Sequence, residues 1–365
     1  MTVIGNLLKA IIAVVMIGAV IIAGLFIYNW ASPLLSSTTK ARSTEPVVFV
    51  INPNETVSQV ADHLEKAGII DSAFIFRARL KILNAETSIQ AGTFTLTPGM
   101  DLDLLIRTLS TPENVVAAKI TVIEGLRLEE IAENLGSSGI VSPNIFLQKT
   151  ATSEGAAALA AKYPFIAASG KPDDKGLEGF LFPDTYEISR SGDDSSDAVI
   201  DSMLSTMRDR LTPEMLADIP THQIEGKPAT VYQILTLASI IQREGVVEDE
   251  LPDISSVYWN RIAEGTVLNA DPTSQYANGV AGAWWPVLSL DQLHIDSPYN
   301  TYDNRGLPPG PICNPGLAAI RAAIYPSDTK YFYFVAKNDG SGRHAFAQTL
   351  QEHERNRIIY NNTEK

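Results

Sequence analysis

The chain has 365 residues, with 42 acidic against 28 basic side chains and a formal charge of −14. That balance excludes a nucleic-acid binder, which needs basic patches, and argues against spreading on an anionic membrane face. One cysteine, Cys313, excludes an internal disulfide framework, and no His/Cys/Asp cluster has metal-ligand spacing, so no structural metal is expected.

Residues 1–9 read as a short tail. Residues 10–30 read as a transmembrane helix: Ala10 to Tyr28 carries no charge and is almost wholly apolar, and Tyr28 and Trp30 stand at its far end like an interfacial belt. The stretch Trp30-Ala31-Ser32-Pro33 is a poor cleavage site, so a retained anchor is expected rather than a signal peptide. Lys9 on one side and Lys40 and Arg42 on the other leave its orientation undecided. Residues 31–46, rich in Ser, Thr and Ala, read as a tether.

An internal echo follows. VINPNETVSQVADHLEKAGII, around Ile51–Ile69, is repeated 71 residues later by VIEGLRLEEIAENLGSSGIV, around Val122–Val141. Val57, Val60, Ala61 and Leu64 match Leu128, Ile131, Ala132 and Leu135, and Gly68 matches Gly139. Apolar spacings of three and four closed by glycine describe a short helix after a strand. Two small βα units are expected, with the hairpin-like AGTFTLTPG and a helix over Leu102–Leu109 between them. Generic βα packing would give the same pattern. The first unit, residues 47–117, resembles the LysM-like modules that bind N-acetylglucosamine-containing glycans.

From Phe165 the chain grows richer in aromatics, Pro and Gly, starting with EGFLFPDTY at Glu178–Tyr186. Helical patterns are expected around Ala198–Leu211, over LTLASIIQREG (Leu235–Gly245) and over ISSVYWNRIAEG, ending at Gly265. In the second of these, at about 100° per residue, Glu244 falls within roughly 100° of Leu237, Ile240 and Ile241. A carboxyl on that stripe would be desolvated and its pKa raised, as a proton donor near neutral pH requires. Alternatively Gly245 ends the helix as a C-terminal breaker and Glu244 simply turns to water. A long irregular stretch runs from Leu268 to Pro315, of a length uncommon unless functional or disordered; Trp284, Trp285, Tyr299 and Tyr302 speak against disorder. A hairpin (Tyr331–Lys337, turn at Asn338-Asp339-Gly340, Arg343–Phe346) and a polar helix, Thr349–Tyr360, close the chain.

EGFLFPDTY, LASIIQREG, SVYWNRI, ADPTSQY, YNTY, GLPPGPICNPG, YFYFVA and RHAF, in that order, resemble the endolytic murein transglycosylase family, also called YceG-like or aminodeoxychorismate-lyase-like. The resemblance implies an α+β protein with a membrane anchor, a LysM-like module and a larger mixed α+β catalytic domain over 118–365, whose segment 118–150 echoes the module. It implies a single-pass enzyme of the plasma or inner membrane, with its catalytic domain outside the cytoplasm and penicillin-binding synthases as partners. The implied reaction cleaves the β-1,4 bond between N-acetylmuramic acid and N-acetylglucosamine inside peptidoglycan strands, leaving 1,6-anhydro ends.

In that family the helix glutamate is catalytic, and here it falls on Glu244. Many members carry a second acid where this chain has Gln242, a position that points off the stripe. Groups that position the sugar are expected from Asn260, Tyr299, Asn300 and Thr301, with Asp271, Glu178 and His344 as further candidates. Each has a structural alternative: a helix cap for Asn260, a turn for Asp271 before Pro272, a satisfied strand histidine for His344. Trp284 and Trp285 could stack on sugars or pin their loop.

The rivals are a hydrolytic muramidase, which would need Asp271 or Glu248 as second carboxylate, and a non-catalytic peptidoglycan-binding scaffold. No cofactor is expected. Pyridoxal phosphate chemistry, which the lyase-like name suggests, needs a Schiff-base lysine, and the aromatic-rich segment supplies none.

Overall fold

A computed structural model describes residues 16–23, 45–52, 55–111, 117–189 and 194–361. Most of the expected anchor and tether lies outside the described residues. Of the anchor, residues 16–23 are helical, and among the described residues no helix is long and apolar enough to cross a membrane. The remainder is mixed α and β and falls into two compact units that divide after Ala118.

In the first unit β1 (Val47–Ile51) leads into α1 (Val57–Lys66) and α2 (Ala73–Ile82) before β2 (Gly92–Leu96) and α3 (Leu102–Ser110). The two strands pair antiparallel, Phe49 opposite Phe94. Local chemistry starts each helix. Thr56 and Gln59 form a reciprocal capping box on α1, while Ser72 and Asp101 cap α2 and α3. The apolar faces meet in one core built around Phe49, Leu64, Phe76, Leu80, Phe94 and Leu105. The sequence echo is therefore one strand–helix pattern set in a larger β-α-α-β arrangement, because the second strand comes from what reads as a hairpin.

The second unit begins within β3 (Ala117–Thr121), which leads to α4 (Leu128–Ser137), the second copy of the echo. Next come α5 (Pro143–Thr150), α6 (Ser153–Lys162) and the single turn α7 (Pro164–Ala167). β4 (Thr185–Ser189) pairs with β3, and Thr121 and Thr185 share a hydroxyl contact of 3.0 Å. α8 (Ser196–Arg210) and α9 (Pro213–Asp218) precede a two-residue-stranded hairpin, β5 (Gln223–Ile224) with β6 (Lys227–Pro228).

Then comes α10 (Val231–Glu244), the helix around which this unit is built. It packs on α11 (Leu251–Ala263), on α12 (Asp271–Asn278) and on α14 (Leu317–Ile324), while the single turn α13 (Leu290–Leu293) packs on α12. The stripe expected for α10 widens to nearly the full circumference: Ile234, Leu235, Leu237, Ala238, Ile240 and Ile241 are all fully buried. Two of its buried hydroxyls are satisfied within the helix, Thr236 donating to the Tyr232 carbonyl over 2.8 Å and Ser239 to the Thr236 carbonyl over 2.7 Å. Ser239 Oγ also accepts the Ile312 N–H over 3.0 Å. The Cys313 thiol, buried beside it, donates to the Ser239 carbonyl, and burial pushes its pKa well up.

The chain ends in the antiparallel pair β7 (Tyr333–Ala336) and β8 (His344–Ala347), with α15 (Leu350–Asn361) against them.

Candidate active site

Glu244 is the last residue of α10, and its side chain turns neither to bulk water nor wholly into the core. It lines a cavity of about 540 Å³ shared with Arg261, Asp271, Tyr302 and His344. Tyr258, buried on α11, donates its hydroxyl to Glu244 Oε1 over 2.9 Å. Burial pushes the carboxyl up to about 7, against the Tyr258 hydrogen bond, which favours the anion. Nearby Asp271 adds to the rise, and Arg261 and Arg243 oppose it.

Gly245 follows, but not as a left-handed breaker: its φ is −96°. A β-carbon there would lie 2.2 Å from Leu251 Cδ2 and 3.1 Å from Ile254 Cδ1, so the glycine leaves room for these two side chains of α11. The close approach of α11 to the end of α10 is what brings Tyr258 to Glu244.

The neighbours of Glu244 on α10 face elsewhere. Gln242 accepts the Gly316 N–H over 2.9 Å and bonds Glu124, whose carboxyl burial raises. A β-carbon on Gly316 would fall 1.9 Å from Glu124 Oε1, so the carboxyl fills the space that the glycine leaves. The Arg243 guanidinium lies 3.8 Å above the Trp285 ring.

Three further cavity residues are held from behind. Arg261 donates Nε to the Phe332 carbonyl over 2.8 Å and Nη1 to the Leu268 carbonyl. Asp271, at the start of α12, accepts the Tyr302 hydroxyl. His344, on β8, has its Nδ1 3.1 Å from Glu250 Oε2.

Of the residues singled out in the sequence, Glu244, Asp271 and His344 thus line one cavity, and the others lie outside its wall. Asn260 spends its amide on the Thr329 and Tyr331 carbonyls. Asn300, fully buried, ties its loop together: Nδ2 reaches the Ile295 carbonyl and Asp303, while Oδ1 accepts the Tyr302 N–H over 2.8 Å. Thr301 Oγ1 accepts the Ala270 N–H and meets the Thr273 hydroxyl at 2.9 Å. Glu248 is exposed and does not line the cavity.

Glu178 and Tyr299 belong to a second polar cluster. Glu178 accepts the Leu128 N–H over 3.1 Å and the Asn314 amide over 2.7 Å, and burial pushes its carboxyl up to about 8. Tyr299 packs on Tyr276, ring centres 4.9 Å apart, and burial pushes its hydroxyl up to about 12. Arg127 lies over the rings of both Tyr276 and Trp284. The two tryptophans donate to α4, Trp284 to Glu133 and Trp285 to Glu130, so they pin their loop as the structural alternative has it.

Tyr258, Arg261, Tyr302 and Glu250 were not among the residues expected to act on substrate. Tyr258 was legible in principle, being one of the aromatics of SVYWNRI, but nothing in the pattern says which face of α11 meets Glu244.

Comparison with known proteins gives one answer. The family described as YceG-like matches residues 49–358. The endolytic murein transglycosylase of Bacillus subtilis strain 168 is 33% identical over 345 residues, covering 93% of this chain and 91% of the relative. That of Streptococcus pneumoniae strain D39 is 32% identical over 87% of this chain, which spans 58% of that longer protein. A 2.6 Å crystal structure of a yceG-like protein from Listeria monocytogenes aligns with a TM-score of 0.53 at 30% identity, over 86% of this chain and 99% of that one.

Proposed function

The chain belongs to the YceG-like family, and on that premise we propose that it is an endolytic murein transglycosylase in which Glu244 is first acid and then base. The observation that carries this reading is a carboxyl with a pKa of about 7, hydrogen-bonded by Tyr258 at the wall of a cavity large enough for sugar residues. Near neutral pH a substantial share of Glu244 is protonated. It gives its proton to the glycosidic oxygen as the bond from that oxygen to muramyl C1 breaks. The muramyl C6 hydroxyl closes on C1, and its proton passes to the Glu244 carboxylate. One C–O bond breaks, one forms, the proton count is restored and no water is consumed.

The neighbouring groups support both halves. Tyr258 and the positive charge of Arg261 favour the carboxylate after the first transfer, and burial favours the acid before it. Such a cycle needs one carboxyl where hydrolytic glycosidases use two, set about 5–5.5 Å or 6.5–9.5 Å apart.

Asp271 favours a second reading, because it stands in the same cavity and could activate water. Mass spectrometry of glycan strands digested by the protein separates the two. Anhydro-muramyl ends are the expected product, and reducing ends would make it a muramidase.

The apolar run 10–28 supports anchoring in the plasma or inner membrane, with catalysis outside the cytoplasm. The first unit would serve as a LysM-like glycan-holding module, and penicillin-binding synthases would be the neighbours; both follow from the family resemblance alone.

A further inference from the structure

Glu250 is a carboxylate that the reaction above does not use, although its side chain is only 9% exposed. Burying a carboxylate is costly unless donors surround it. Here three do: the His344 N–H at 3.0 Å, His344 Nδ1 at 3.1 Å and Arg343 Nη1 at 3.4 Å. Glu250 lies on the short connection between α10 and α11, the same link that sets Glu244 against Tyr258.

A carboxylate has no proton to give, so the contact fixes the histidine tautomer: Nδ1 carries the hydrogen, and in the neutral ring Nε2 keeps its lone pair. Phe334 meets the ring edge-on at 5.4 Å and limits its rotation. Nε2 makes no hydrogen bond to the protein among the described residues, and His344 lines the Glu244 cavity.

We infer that Glu250 is a positioning residue that holds the His344 imidazole with Nε2 as a hydrogen-bond acceptor for a sugar hydroxyl in the Glu244 cavity. The inference rests on the transglycosylase reading for the identity of that sugar, but its geometry does not. The muramyl C6 hydroxyl is the group whose alignment matters most, since its oxygen must face C1 while its proton leaves. Before the reaction His344 accepts that hydroxyl's hydrogen bond and holds the oxygen near C1. As C1 opens, the O–H turns from Nε2 to the Glu244 carboxylate and gives its proton there, leaving the imidazole neutral.

A double-mutant cycle with nitrogen NMR tests this. Nitrogen-15 spectra of the folded wild-type protein are expected to show His344 protonated on Nδ1 and bare on Nε2. In Glu250→Gln, whose amide can turn a donor toward Nδ1, the tautomers should mix. Turnover of glycan strands should fall about tenfold in Glu250→Gln and about a hundredfold in His344→Ala, with KM moving less than about threefold. The double variant should be no slower than His344→Ala alone, because Glu250 acts only through the ring.

A bare Nδ1 in the wild type, or losses that multiply in the double variant, overturns the inference. So does a His344→Ala protein of full activity. A merely structural Glu250 would lower the melting temperature and leave the tautomer unchanged. A wild-type protein that releases no anhydro ends sinks the parent reading, whereas the tautomer result still decides the Glu250–His344 pairing.

Discussion

The Tyr258 hydroxyl and Glu244 Oε1 meet at 2.9 Å where the end of α10 passes α11, and the contact pulls against the burial that raises the carboxyl. A buried acid with no such donor would keep its proton more firmly and be a poorer base on the return step. The balance of the two sets where Glu244 titrates, and the first two expectations follow from it.

Glu244→Gln keeps the shape and the Tyr258 contact but has no proton to transfer. Release of fragments from glycan strands should fall by about 10²–10⁴, with the melting temperature unchanged within a few degrees. Unaltered release would place the chemistry on another residue.

Activity should fall as pH rises through about 7, because the acid step needs protonated Glu244. Tyr258→Phe removes a contact that favours the anion, so the alkaline limb of kcat/KM should move to higher pH. A limb that stays in place, or moves down, shows that Tyr258 does not set the titration.

Glu178→Gln addresses stability. The folded carboxyl titrates near 8, above its unsplit range near 4.5, so between those values the unfolded chain sheds the proton first. Wild-type stability from this group is complete below about 4.5 and is lost as pH climbs through 8. The glutamine variant has nothing to titrate. From pH 5 to pH 9 its melting temperature should gain on wild type by on the order of 5 °C; parallel melting curves would contradict the raised titration.

Gly245→Ala forces a β-carbon into Leu251 Cδ2, 2.2 Å away, and the buried Leu251 side chain on α11 must give way. Overpacking of this kind costs about 1–3 kcal/mol. Because Tyr258 rides on α11, turnover should drop although no polar group changed. Calorimetry with kinetics checks both, and a variant normal in each would mean that the helices part without consequence.

The position of Glu244 was legible because a carboxyl amid Leu237, Ile240 and Ile241 breaks a periodic pattern, and periodicity is what sequence displays best. The reason for Gly245 was not, since a steric contact with Leu251 leaves no local mark and looks like an ordinary helix stop. Asn300 and Thr301 show the reverse problem: in a long loop, polar residues bound for a ligand and polar residues that tie the loop look alike. Glu250, inside a Glu-Asp-Glu run, reads as a solvated face until β8 folds over it. The α2, α5, α6, α12 and α14 helices went unmarked for a related reason. Their patterns are short or broken by small residues, and tertiary packing decides them.

The chain's single thiol, Cys313, sits sealed against the Ser239 carbonyl with its ionisation suppressed. Maleimide dyes and spin labels should therefore ignore it in the native state. A cysteine introduced at any exposed position can be tagged selectively without first deleting the native one, so the cavity rim is open to fluorescence and distance measurements in an otherwise unaltered chain.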